Sequence, residues 1–94
     1  MTIAEFQALI RERYLETDRR RGAVATFLWL TEEIGELASA IASSEKGEPD
    51  HANLREEFAD VLAWLTTIAN ILEVDLEQAI AEKYLRNGGP RGTK

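Results

Sequence analysis

Four acidic residues form two pairs whose spacing could support metal-ion chemistry. Glu33 and Glu36 are the first pair, and Glu57 and Asp60 are the second. On a helix, i, i+3 spacing places both carboxylates of a pair on nearly the same face, about one turn apart. Like charges this close repel each other, so two such pairs indicate that something positive lies between them. We therefore predict a divalent metal site.

Each acidic pair lies beside an apolar stripe in a segment with helical periodicity. The pattern predicts one helix over about residues 23–43 and another over about residues 52–73, with a polar loop at 44–51. The predicted core stripes are Phe27, Leu30, Ile34, Leu37, Ala38 and Ile41, followed by Leu54, Phe58, Val61, Leu62, Leu65, Ile68, Ala69 and Leu72. The acids occupy a row along the flank of each stripe, and a charge at such a boundary is unfavourable unless it is compensated.

The short loop predicts that these two helices are antiparallel neighbours. At a rise of about 1.5 Å per residue, the first pair lies roughly 13 Å from the loop and the second roughly 10 Å. Glu36 should therefore lie opposite Glu57, and Glu33 opposite Asp60. Trp29 and Trp64 should meet one turn further from the loop.

Oxygen-only ligation is typical of hard cations, which here means magnesium, manganese or calcium. Magnesium suits an open site best, because it keeps waters and takes substrate phosphates beside a few carboxylates. A di-iron bundle would need a Glu-x-x-His motif on two helices, and neither pair contains histidine. The alternative is that the acids belong to ordinary solvated helix faces.

The remaining elements are predicted from capping motifs and helix breakers. A capping box at residues 2–5 starts a first helix that runs to about Asp18, and Gly22 ends the element. The run Arg19–Arg21 either complements the helix dipole or supplies a contact to an anionic ligand. A second capping box at residues 75–78 starts a last helix to about Asn87, and we expect residues 88–94 to form a mobile tail.

Length and composition bound the architecture. The 94 residues allow one domain, residues 1–94, and the pattern of helices makes it all-α. The chain is 45% hydrophobic and has no cysteine or metal finger to stabilise so short a sequence, so we expect a homo-oligomer that completes its apolar surface.

Charge and hydropathy exclude several classes of protein. A net charge of −6 argues against a passive nucleic-acid binder. The longest uncharged stretch near a helix centre, residues 61–72, is well short of the roughly 20 residues that span a bilayer, so no membrane association is expected. No signal peptide is visible in the first residues, and we expect a cytoplasmic protein.

The sequence resembles one known family. Glu32-Glu33-Ile34-Gly35-Glu36, followed by Glu57-Phe58-Ala59-Asp60, is similar to the EExxE…ExxD signature of the MazG-like nucleotide pyrophosphohydrolases. The flanking Trp29-Leu30, Leu37-Ala38 and Val61-Leu62 fit the same family, and the resemblance covers about residues 21–87.

The resemblance implies an all-α nucleoside triphosphate pyrophosphatase that releases a nucleoside monophosphate and pyrophosphate. It implies Mg²⁺ dependence, with Mn²⁺ as a substitute, and four-helix bundles completed across a dimer or tetramer. The matched positions make Glu33, Glu36, Glu57 and Asp60 metal ligands and Glu32 a residue that assists the metal or the attacking water. The predicted substrate-binding residues are Trp29, Trp64, Lys83, Arg86, Asn87 and Arg91.

Other interpretations remain open from the sequence alone. The tryptophans can be core or interface residues, and Lys83 and Arg86 can be helix-end charges. A non-catalytic helical oligomer whose acidic cluster binds a cation is the alternative function. The base, the sugar and the number of metal ions are not specified by the motifs.

Overall fold

A computed structural model describes residues 1–47 and 50–86 of the chain, and these residues are all-α, as predicted. The elements are α1 (Ile3–Arg21), α2 (Ala23–Glu45), α3 (His51–Ile71) and α4 (Leu76–Ile80), followed by a π-helical turn (Ala81–Leu85). The predicted helix end at Asn87 and the predicted tail at residues 88–94 lie outside the described residues.

The helices begin where the capping residues predict. Thr2 Oγ1 accepts a hydrogen bond from the Glu5 main-chain N at 3.0 Å, and the Glu5 carboxylate accepts one from the Thr2 N at 2.7 Å, which completes a capping box. Asp50 caps α3 by accepting from the Asn53 N, and Asp75 caps α4 in the same way.

The C-terminal ends of α1, α2 and α3 differ from the prediction by two or three residues, and α2 continues past residue 43 to Glu45. Helix α1 continues past Asp18 to Arg21, and Gly22 then breaks it with a φ of +85°. Helix α3 stops at Ile71, before the predicted end at Glu73, because Glu73 adopts a left-handed backbone with a φ of 58°. Across this turn the Val74 N donates to the Ala69 O at 2.8 Å. Helices that end in this way usually have glycine at the left-handed position.

Helices α2 and α3 form the main antiparallel pair, and α1 packs mostly on α3. Helix α4 packs on α1 and shares an apolar cavity with the α3 residues Leu62 and Leu65. Gln7 of α1 fixes the turn before α4, because its amide nitrogen donates to the Val74 O and its amide oxygen accepts from the Leu76 N.

The predicted core stripes are only partly buried in the single chain, where Leu30 and Ala69 are buried. Phe27 and Phe58 are 57% and 55% exposed, and Leu62 is 50% exposed. The rows that carry the acids also contribute to the α2–α3 contact, where Ala40 and Glu57 are buried. Periodicity identified two neighbouring rows on each helix but did not indicate which row faces the partner helix of the same chain.

Apolar burial within the single chain is accordingly small. Among the described residues, the buried hydrophobic side chains are only Ile10, Leu30, Ala40 and Ala69. The search for membrane-spanning segments, made over the described residues, finds no helix that combines the required length and apolar character.

Candidate functional site

Antiparallel packing of α2 and α3 brings carboxylates from both helices together. One oxygen from each of Glu33, Glu36 and Glu57 lies within 4.8 Å of the others. Asp60 is half-buried, and its charge raises the pKa of both Glu33 and Glu57. We call these four residues the acidic cluster.

Two members of the acidic cluster lie in a desolvated environment. Glu57 is 9% exposed and Glu33 is half-buried, and the Oε2 atom of each has no hydrogen-bond partner among the described residues. Desolvation is the largest cause that raises the pKa of both carboxyls, and repulsion from Glu36 is the second. Negative charge therefore accumulates here at a cost that a bound cation would offset.

The protein supplies no ion pair to neutralise this charge within residues 1–47 and 50–86. The three ion pairs there join Arg19 to Glu73, Arg20 to Glu16 and Arg21 to Asp18. Unpartnered oxygens, an all-carboxylate donor set and the lack of an ion-pair partner among the described residues fit a hard divalent cation such as Mg²⁺. Residues Glu33, Glu36, Glu57 and Asp60 are the ones that would hold it.

Glu32, the predicted catalytic residue, is exposed on α2 beside the acidic cluster. Its charge contributes to raising the pKa of Glu33, after burial and the charges of Glu36 and Asp60. Glu32 therefore lies near enough to act electrostatically on the acidic cluster while it remains accessible to solvent.

The two tryptophans meet one turn from the acidic cluster. The ring centroids of Trp29 and Trp64 are 5.3 Å apart in an edge-to-face arrangement. The Arg21 guanidinium lies over both rings, 4.8 Å from the centroid of Trp29 and 5.1 Å from that of Trp64.

A polar network that the sequence analysis did not identify holds this arginine in place. Arg21 Nη2 donates to Asp18 Oδ1 at 2.5 Å, and Arg21 Nε donates to Thr26 Oγ1 at 2.9 Å. The i, i+3 spacing of Asp18 and Arg21 was the available signal, but burial of an ion pair at a helix end cannot be recognised from spacing. Of the arginine run, Arg19 and Arg20 make exposed pairs, whereas Arg21 points inward.

The predicted phosphate-binding residues are only partly described. Lys83 lies in the π-helical turn with its ammonium 5.2 Å from the Tyr84 ring centroid, and Arg86 follows in extended backbone. The charged groups that shift the pKa of Glu33 and Glu57 are carboxylates and do not include the side chains of Lys83 and Arg86. Asn87 and Arg91 lie outside the described residues.

Comparison with known proteins agrees with this arrangement. The model of the MazG nucleotide pyrophosphohydrolase domain matches residues 22–86, which contain the whole acidic cluster and both tryptophans. The chain is also similar to the uncharacterized protein YpjD of Bacillus subtilis (strain 168), with 40% identity over 55 residues. That alignment covers 53% of this chain and spans only half, 50%, of the length of YpjD. Since the family model matches well over half of the sequence, the chain belongs to the MazG nucleotide pyrophosphohydrolase domain family.

Proposed function

We propose that this protein is a Mg²⁺-dependent nucleoside triphosphate pyrophosphohydrolase that releases a nucleoside monophosphate and pyrophosphate. The observation that carries the proposal is the acidic cluster, in which three carboxylates from two helices lie within 4.8 Å without an ion-pair partner in the described chain. Membership of the MazG family supports the choice of a nucleotide as substrate.

The proposed reaction requires charge neutralisation and a positioned water more than covalent catalysis. Glu33, Glu36, Glu57 and Asp60 would hold the cation, which when bound would offset phosphate charge and increase the acidity of a water. Exposed Glu32 accepts a hydrogen bond from the attacking water and takes its proton. The water oxygen forms a bond to phosphorus as the anhydride bond between the α- and β-phosphates breaks, and the pyrophosphate leaves. Lys83 and Arg86, with Asn87 and Arg91, contact the phosphates in this proposal.

The proposed active form is a homo-oligomer, a dimer or a tetramer. Phe27, Ile34, Phe58, Leu62 and Leu65 are all more than two-fifths exposed along the apolar stripes of α2 and α3. The radius of gyration, 15.3 Å, exceeds the approximately 13 Å of a compact 100-residue domain. A second copy that covers the stripes would supply the apolar burial that the single chain lacks.

A pyrophosphate-release assay with several nucleoside triphosphates and Mg²⁺ tests the proposal. Glu57→Gln should lower kcat/KM by at least about 100-fold, because it removes a buried charged oxygen from the cluster. Glu56→Gln is the matched control, since Glu56 is the adjacent acid of α3 and is exposed. Its activity should stay within about twofold of the wild-type value.

The outcomes separate enzyme from binding protein. Turnover that requires Mg²⁺ and is lost in Glu57→Gln supports the proposal. If calorimetry detects Mg²⁺ binding that Glu57→Gln abolishes, but no nucleotide is hydrolysed, the acidic cluster serves a structural or regulatory cation in a non-catalytic oligomer. Equal loss of activity in Glu57→Gln and Glu56→Gln would contradict the assignment of the cluster.

A further inference from the structure

Arg21 connects the three long helices at a single point. It is the last residue of α1, and its guanidinium carbon lies 4.8 Å from the ring centroid of Trp29 on α2 and 5.1 Å from that of Trp64 on α3. The Arg21 side chain is only 15% exposed, and cation–π contacts are stronger where water is excluded. We call Arg21 and the two tryptophans the arginine stack.

Two buried polar groups fix the orientation of the guanidinium. Asp18 Oδ1 accepts from Arg21 Nη2 at 2.5 Å, and Thr26 Oγ1 accepts from Arg21 Nε at 2.9 Å. Asp18 is 5% exposed and Thr26 is fully buried, and the Thr26 hydroxyl itself donates to the Gly22 O at 2.6 Å. Because a guanidinium is planar and its donors point in fixed directions, these partners hold it over the rings.

The arginine stack lies next to the acidic cluster on both α2 and α3. Trp29 precedes Glu33 by four residues on α2, and Trp64 follows Asp60 by four residues on α3. At about 1.5 Å per residue, each tryptophan is roughly 6 Å from that acid along its helix axis. The acidic cluster therefore lies between two connections of α2 to α3, the chain segment that joins the helices and the arginine stack.

Repulsion within the acidic cluster opposes the close approach of α2 and α3. One oxygen from each of Glu33, Glu36 and Glu57 lies within 4.8 Å of the others, and like charges at that distance favour separation of the helices. The charges that shift the pKa of Glu33 and Glu57 are those of carboxylates, so Arg21 does not offset this repulsion by its own charge. Its contacts with the two rings instead hold the helices together beside the cluster.

We propose that Arg21 is a positioning residue, which acts through Trp29 and Trp64 to keep the acidic cluster assembled before a cation binds. The inference rests on the proposed function, because it concerns the same metal site. A site that is assembled in advance binds its ligand more tightly, since binding does not have to bring the ligating groups together. Without the arginine stack, α2 and α3 separate beside the cluster in the metal-free protein, and the affinity for Mg²⁺ falls.

The double substitution Asp18→Asn with Arg21→Ala tests the proposal, because removal of Arg21 alone would leave a buried charge unpaired. Calorimetry with Mg²⁺ alone should show a Kd raised by roughly 5- to 30-fold, as for loss of two partly desolvated cation–π contacts. At saturating Mg²⁺, kcat should stay within about threefold of the wild-type value, because the loss is in binding. The exciton couplet of the tryptophan pair, measured by circular dichroism without metal, should weaken as the rings separate.

Arg20→Ala is the matched control, since Arg20 is the adjacent arginine and makes an exposed pair with Glu16. Its Kd for Mg²⁺ should stay within about twofold of the wild-type value, and its couplet should be unchanged. Trp64→Leu is a second variant, which removes the contact to α3 but keeps the pair of Arg21 and Asp18. It should also raise the Kd for Mg²⁺, and it remains informative if the double variant does not fold.

The outcomes separate positioning from general stabilisation and from the proposed function. A lower Tm with an unchanged Kd for Mg²⁺ in the folded double variant, or an unchanged couplet, overturns the inference, as does an unchanged Kd in Trp64→Leu. If the wild-type protein hydrolyses no nucleotide but binds Mg²⁺, and the double variant binds it more weakly, the proposed function fails and the inference holds. If hydrolysis occurs and the Kd is the same in both proteins, the inference is overturned and the proposed function holds. Absence of Mg²⁺ binding by the wild-type protein would overturn both.

Discussion

Gln7 is the main polar link between α1 and the segment that carries α4. Its Nε2 donates to the Val74 O at 2.7 Å, and its Oε1 accepts from the Leu76 N at 3.0 Å. Its main-chain O accepts from Asn70 Nδ2 at 3.3 Å. Because Gln7 is only 8% exposed, water cannot replace the two side-chain bonds unless α1 separates from the turn.

The cost of Gln7→Ala follows from these two side-chain bonds. Each is worth about 0.5–1.5 kcal/mol net, and a buried group left without a partner costs about 1–3 kcal/mol. Leu76 is half-buried, so water can partly satisfy its N–H, and the lower part of that range applies. The free energy of unfolding should therefore fall by about 2–3 kcal/mol. For a domain of this size the Tm should fall by roughly 10–20 °C.

Thermal and urea unfolding, followed by circular dichroism at matched protein concentration, measure this loss. Gln78→Ala is the control, since it removes one exposed hydrogen bond of 3.0 Å from Gln78 Nε2 to Glu82 Oε1. That substitution should change the free energy of unfolding by no more than about 0.5 kcal/mol. Equal effects of the two substitutions would refute the assignment of Gln7 as the link that fixes the start of α4.

Three further predictions concern charge, assembly and backbone. Burial and neighbouring carboxylates raise the pKa of Glu33 and Glu57 above 4.5, so the metal-free folded state binds more protons than the unfolded chain and these groups lower stability as pH rises above about 4.5. Melts in EDTA should therefore show that Glu57→Gln flattens the pH dependence of Tm and does not lower Tm at pH 7. Phe58→Asp, at a position 55% exposed in the single chain, should shift the protein to monomer in analytical ultracentrifugation, and a persistent oligomer would show that Phe58 lies outside the interface. Glu73→Gly should raise the free energy of unfolding by up to about 1 kcal/mol, because it relieves a left-handed backbone, and an unchanged Tm would contradict this.

Local signals in the sequence were sufficient for the starts of the helices and for the approach of Glu33 and Glu36 to Glu57. Thr2, Asp50 and Asp75 cap helices because their side chains satisfy main-chain N–H groups within the next three residues. The prediction that Trp29 and Trp64 lie opposite each other rests on the helical rise and the short loop. It is confirmed, because the two rings are in contact. These features depend only on neighbours along the chain or on a simple hairpin.

Features that depend on tertiary contacts were not predictable. Nothing local indicates that Glu73 adopts a left-handed conformation, since glycine or asparagine usually occupies that position. The inward orientation of Arg21 depends on Asp18, Thr26 and two tryptophan rings that lie on three helices. Helix α1 also packs against α3 so that a cavity lined by Asp18 and Trp64 lies between them, and no pattern in the sequence specifies that packing.

The exposure of part of the apolar stripes and the desolvation of the acids have one physical explanation. If the apolar stripes filled the α2–α3 contact, Glu57 and Glu33 would face solvent, and their carboxylates would be too well hydrated to need a cation. The structure instead places these acids at the α2–α3 contact, where desolvation raises their pKa, and leaves Phe58 and Leu62 exposed. Both arrangements cost the single chain stability. The proposed cation and the proposed second copy would remove these two costs separately, so metal binding and assembly should each stabilise the fold.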